Sequence, residues 1–148
     1  MLTRAQSHCL EQIYLLSQKD GVARARDIAQ NLDVGPSTIT KTLQKLDQMD
    51  LIVYNKYEYI VLTPKGELVG EKIALKHEIL QQFMLLLEID PETAHTEVER
   101  IEHYVSDSTV ERIKELVQFF NSNPSIAETF ARVHMDAYKV KNGKVEDP

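Results

Sequence analysis

The tetrapeptide Asp33-Val34-Gly35-Pro36 constrains this chain more than any other stretch, because it cannot continue a helix and it separates two short segments of helical periodicity. Upstream, residues 26–32 set Ile28, Ala29 and Leu32 on one side. Downstream, Pro36 suits the entry of a new helix, Ser37 and Thr38 fall in its first turn, and Ile39, Leu43 and Leu46 repeat at i, i+4 and i+7. Two short helices around a tight turn form a helix-turn-helix. Past Asp50 the period changes: Leu51-Ile52-Val53-Tyr54 and Tyr59-Ile60-Val61-Leu62 are β-prone runs separated by the polar Asn55-Lys56-Tyr57-Glu58. They predict a small hairpin, the wing of a winged helix-turn-helix.

The flanking segments are helical. Leu10, Ile13, Tyr14 and Leu16 recur at helical spacing over residues 4–17, and Asp20-Gly21 ends that helix. Thr63-Pro64 is an N-cap followed by proline at N1, opening a long helix to about Leu87, and Asp90-Pro91 repeats the device for the next one. Helices over 106–120 and about 126–140 follow, separated by a break at 121–124. The expectation is a mostly α chain: a winged helix-turn-helix DNA-binding domain over 1–72, an all-helical metal-binding and dimerisation domain over 73–141, and a flexible tail over 142–148. The apolar Leu116, Val117, Phe119 and Phe120 are either a dimer surface or monomer core, which the sequence does not separate.

Charge supports the division. The net charge of −6 looks wrong for a nucleic-acid binder, but residues 1–76 carry 10 Lys/Arg against 9 Asp/Glu and residues 77–148 carry 7 against 14. The acid sits in the second part. Between Pro36 and Leu46 there is no carboxylate, so the local field is positive. With Ile39, Leu43 and Leu46 turned inward, Ser37, Thr38, Thr40, Lys41, Gln44 and Lys45 face outward, a set suited to base edges and phosphates in a major groove. A polar helix stripe is usually a solvated face; the trailing wing and the missing acids favour double-stranded operator DNA. Lys56 and Tyr57 at the wing tip are candidates for backbone contact. No segment nears about 18 uninterrupted apolar residues and the N-terminus lacks an export pattern. The single Cys9 cannot form an internal disulfide. A cytoplasmic protein without membrane partners is expected.

Histidine placement adds a second chemistry. Glu99, Glu102 and His103 stand at i, i+3 and i+4, so on a helix they share one side and can hold a divalent metal. His8-x-x-Glu11 has the same one-face spacing, His77 lies alone in an apolar helix, and His95 falls on the Glu99 face. Each string alone is more often a wet surface. Four of the five histidines nonetheless lie in these segments, with only His134 elsewhere. If the segments converge, a metal ion would fasten a DNA reader to a helical body.

The strings Leu10-Glu11-Gln12-Ile13-Tyr14, Pro36-Ser37-Thr38-Ile39-Thr40-Lys41, Gln44-Lys45-Leu46-Asp47, Leu62-Thr63-Pro64-Lys65-Gly66, Lys76-His77-Glu78 and Val98-Glu99-Arg100-Ile101-Glu102-His103 resemble the diphtheria toxin repressor family, most closely its manganese transport regulator branch. The resemblance covers about residues 5–120. It implies a homodimeric winged-helix repressor that binds operator DNA when loaded with Mn(II) or Fe(II), with ligands at Glu11, His77, Glu99, Glu102 and His103. A chain of 148 residues is expected to lack the SH3-like third domain of the iron-dependent branch. Two positions depart from the pattern. Where the manganese branch has aspartate and the iron branch methionine, this chain has His8. His95 resembles an ancillary-site histidine of the iron branch, where a further glutamate ligand is replaced by Gln81. Imidazole in place of carboxylate moves a site away from Mn(II) towards Fe(II), Co(II) or Zn(II). Mn(II) is expected first, with Fe(II) or Zn(II) as alternatives, at one or two ions per subunit.

Two rival classes follow from the same residues. Glu-x-x-Glu-His is reminiscent of zinc peptidase strings, but no His-Glu-x-x-His occurs and no nucleophile accompanies the cluster, so the chain is not expected to be an enzyme. A winged-helix regulator of an organic ligand would need no metal; no organic substrate is expected.

Overall fold

A computed structural model describes residues 1–141 and 143; of the tail expected over 142–148, all but Gly143 lie outside the described residues. Two compact units divide the chain, the first Met1–Lys76 and the second beginning at His77. The first comprises α1 (Arg4–Asp20), α2 (Ala25–Asn31), α3 (Pro36–Gln48), β1 (Ile52–Val53), β2 (Val61–Leu62) and the opening turns of α4 (Pro64–Leu86). The second holds the rest of α4, then α5 (Pro91–Ile101), α6 (Asp107–Ser122) and α7 (Pro124–Lys141). The mostly α winged architecture is as the sequence predicts.

Local chemistry explains where the elements begin and end. Thr3 caps α1 through a reciprocal pair with Gln6: the Gln6 N–H donates to Thr3 Oγ1 and the Thr3 N–H to Gln6 Oε1. The helix runs three residues past Ser17, because Gly21 takes the left-handed conformation (φ 75°) and donates its N–H to the Ser17 carbonyl. The first unit closes around Cys9, Leu10 and Ile13 of α1, Ala23, Ile28 of α2, Ile39, Leu43 and Leu46 of α3, and Leu51, Ile52 and Ile60. Burying each such Leu or Ile stabilises the unit by about 1.5–3 kcal/mol. Gly70 of α4 lies against Tyr14 of α1, where a Cβ would stand 2.9 Å from the tyrosine Cβ.

The wing is shorter than expected, two residues per strand, with Ile52 opposite Leu62 and Val53 opposite Val61. Competing partners shorten it. The Leu51 N–H donates to Leu46 at the end of α3, the Tyr54 N–H to Asp47 Oδ1, and the Ile60 N–H to Ala23 at 2.9 Å, forming an isolated bridge.

In the second unit Ile79, Leu80, Ala94, Val98, Val110 and Val117 are buried. Asp90 and Ser106 cap α5 and α6 by accepting the N–H groups of Thr93 and Thr109. The break after α6 is only Asn123, because Pro124 already opens α7. Of the residues left open between dimer surface and core, Val117 is core, whereas Leu116 and Phe119 are exposed.

Candidate nucleic-acid interface and metal centre

The inward set of α3, Ile39, Leu43 and Leu46, is buried. Ser37, Thr38, Lys41, Gln44 and Lys45 are therefore exposed and Thr40 partly so. At the wing tip Tyr57 has φ 72° and is almost fully exposed, and the Lys56 ammonium lies 5.1 Å from its ring centroid. Asn55 Nδ2 donates to Glu58 Oε2 at 3.0 Å, closing the turn. An open groove of about 830 Å³ runs beside α3, bounded by Thr40, Lys56, Tyr57, Arg24, Arg26 and Tyr59. Sequence reasoning missed the last three. Arg24 donates to the Tyr59 hydroxyl at 3.0 Å, a pair 35 positions apart that no local periodicity reveals; the closely spaced arginines Arg24 and Arg26 were the one available signal.

In the second unit Glu102 is the centre. The sequence places Glu99, Glu102 and His103 on one helix face, but α5 ends at Ile101. Glu102 keeps right-handed helical geometry (φ −55°, ψ −31°) and its N–H still reaches the Val98 carbonyl, whereas His103 lies in the following turn. Glu102 is only 4% exposed, and its two oxygens meet different imidazoles: Oε2 lies 2.8 Å from His77 Nδ1 and Oε1 3.3 Å from His103 Nε2. Glu99 instead pairs with His95 at 3.4 Å, and the His95 ring stands 5.7 Å from that of His77. The five residues form a continuous line of three imidazoles and two carboxylates. His8 and Glu11 stand one turn apart on α1 in the first unit, Glu11 buried and His8 half-buried. His134 lies 4.0 Å from Glu88, away from the line.

A carboxylate buried to this degree requires positive compensation, and imidazole nitrogen with carboxylate oxygen is a donor set that borderline divalent ions accept. The residues fit such a cation. Cys9 is fully buried in the core of the first unit, and that burial pushes its thiol up to about 12.

Comparison with known proteins bears on both sites. Residues 1–60 match the family model of the iron dependent repressor N-terminal DNA binding domain, and residues 63–131 that of the iron dependent repressor metal binding and dimerisation domain. The chain is 42% identical over 123 residues to the HTH-type transcriptional regulator MntR of Bacillus pumilus (strain SAFR-032), covering 83% of this chain and 85% of that protein. It is 44% identical over 128 residues to the MntR of Lysinibacillus sphaericus (strain C3-41), covering 86% and 92%. Among solved structures it resembles the manganese regulator SloR (TM-score 0.69, 29% identity, 80% of this chain and 55% of that one). It also resembles ScaR with bound Zn2+ (TM-score 0.62, 29% identity, 77% and 54%). The chain spans about half the length of these two structures.

Proposed function

The chain belongs to the diphtheria toxin (iron-dependent) repressor family, in its manganese transport regulator branch, and from that premise we propose that it represses metal-uptake genes by binding operator DNA as a homodimer when loaded with Mn(II). It is a metal-responsive transcriptional regulator with a DNA-binding part and a metal-binding, dimerising part. The relatives are regulators, and among the described residues no helix is long and apolar enough to cross a membrane.

The observation that carries the reading is Glu102, a buried carboxylate with an imidazole on each oxygen. We assign the metal to His8, Glu11, His77, Glu99, Glu102 and His103, with His95 as a ligand of a second ion. A bound divalent cation supplies concentrated positive charge and a fixed coordination geometry. Glu11, Glu99 and Glu102 provide the negative charge that needs it, and the imidazoles of His77 and His103 hold Glu102 oriented. His8 and Glu11, lying on α1, tie metal occupancy to the DNA-reading part. There Ser37, Thr38, Thr40 and Gln44 address base edges, while Lys41, Lys45, Lys56 and Tyr57 address phosphates. Mn(II) leads by inheritance from the branch; the imidazole content of the site favours Fe(II) or Zn(II).

The test is titration of the metal-free protein with Mn(II), Fe(II) and Zn(II), reading ion stoichiometry and operator affinity together. One or two ions per subunit and a gain in affinity of at least about tenfold are expected. Operator affinity indifferent to all three metals and to their chelation overturns the reading.

A further inference from the structure

The groove beside α3 contains a device that metal-dependent operator binding does not by itself require. The wing is tied at its base to the residues preceding α2 by two bonds, Ile60 N–H to the Ala23 carbonyl at 2.9 Å and Arg24 to the Tyr59 hydroxyl at 3.0 Å. The guanidinium carbon of Arg24 also lies 4.9 Å from the Tyr59 ring centroid. Arg24 is exposed, and an exposed arginine ordinarily samples many rotamers, which it must surrender on binding. Here a hydroxyl and a ring face constrain it in advance. Guanidinium has five N–H donors in a planar fork, so commitment of one nitrogen to Tyr59 leaves donors to address a phosphate.

We propose that this groove seats the DNA sugar-phosphate backbone beside the bases read by α3, and that Tyr59 is the positioning residue that fixes Arg24 as a phosphate ligand. Charge complementarity selects the occupant. Arg24, Arg26 and Lys56 line the groove against Glu58 alone, and Glu58 accepts from Asn55. The groove is continuous with α3 through Thr40, so a duplex read by that helix brings its backbone here. The proposal rests on the reading of the chain as a DNA-binding regulator.

The experiment uses the full-length, Mn(II)-loaded protein and a duplex it enriches from a random-sequence pool. Affinity is measured against salt for wild type, Arg24→Ala, Tyr59→Phe and the double variant, alongside Mn(II) uptake and thermal midpoint. Arg24→Ala is expected to weaken binding about fivefold to tenfold and to reduce the slope of log affinity against log salt by about 1, with metal uptake unchanged. Tyr59→Phe, which keeps the ring and removes the hydroxyl, is expected to weaken binding about twofold to threefold in wild type and not at all once Arg24 is gone. Arg24→Lys should retain the slope and lose the dependence on Tyr59. A wild-type slope in Arg24→Ala, or an equal Tyr59→Phe loss in both backgrounds, overturns the proposal. A wild-type protein that enriches no duplex with any metal overturns the functional reading, and this one with it.

Discussion

Gly66 shows how much a single position can decide. It lies in the first turn of α4, where its N–H donates to Thr63 Oγ1 at 3.0 Å while the Thr63 hydroxyl donates to the Asp50 carbonyl at 2.7 Å. A Cβ at this position would land on the Leu51 carbonyl oxygen, which already accepts the Thr63 N–H. Backbone cannot yield as a flexible side chain can, so Gly66→Ala is expected to cost about 3 kcal/mol or more. Gly35 is the control: its added Cβ meets nothing within 4 Å, so Gly35→Ala should stay within about 0.5 kcal/mol of wild type. Urea midpoints measure both, and equal midpoints for the two variants would refute the argument. At the proposed metal centre, Glu102→Gln preserves shape while removing charge, and should lower Mn(II) affinity by at least about tenfold with the helical content intact. His8→Asp exchanges an imidazole for a carboxylate and should raise the ratio of Mn(II) to Zn(II) affinity in a competition titration. An unchanged ratio removes His8 from the ligand set.

Among the elements, α3 carries the sharpest expectation. Lys41 is exposed beside the buried Ile39 and Leu43, so Lys41→Ala should weaken operator binding and reduce the salt slope by about 1 while leaving metal uptake alone. Simultaneous loss of metal uptake would mean unfolding instead. The cap of α5 makes a pH statement. Hydrogen bonds from the Thr93 side chain and then from the Thr93 N–H hold the Asp90 carboxyl below its usual pKa, so the cap's contribution is complete above the unfolded value, about 3.9, and is lost as pH falls through the folded one. Asp90→Ser should therefore flatten the acid limb of a stability–pH profile. These elements were legible because their signals are local: proline at N1 in Pro36, Pro64 and Pro91, and apolar spacing along α1 and α3. The wing was legible in kind but not in length, because its bonds are diverted to the Asp47 side chain and to Ala23, both outside the two β-prone runs. The helix face expected for Glu99, Glu102 and His103 was half right: periodicity carries Glu102 inward, but only the fold reveals that α5 stops at Ile101 and that Glu102 engages His77, 25 positions away.

At the scale of the molecule, one exposed surface of the second unit is apolar. Leu116 and Phe119 of α6 and Ile126, Phe130 and Val133 of α7 are exposed in the single chain, while no residue of α7 is buried. Apolar area at helical spacing on adjacent helices is what a self-complementary two-fold interface uses, and these residues lie in or beside the segment matched by the metal binding and dimerisation domain. A dimer matters to the function because each reading helix alone contacts one half-site, and joining two makes the second contact intramolecular. On the proposed reading, metal need only bias the population of the binding-competent arrangement: a preference of about 100-fold corresponds to roughly 2.7 kcal/mol. Phe119→Glu places a charge in the middle of that apolar face. It should yield a monomer by sedimentation, lower operator affinity by about 100-fold or more, and leave the first equivalent of Mn(II) bound as in wild type. A Phe119→Glu protein that sediments as a dimer and binds operator normally would move the interface elsewhere on the chain; a monomer that still binds operator at wild-type strength would show that one reading head suffices.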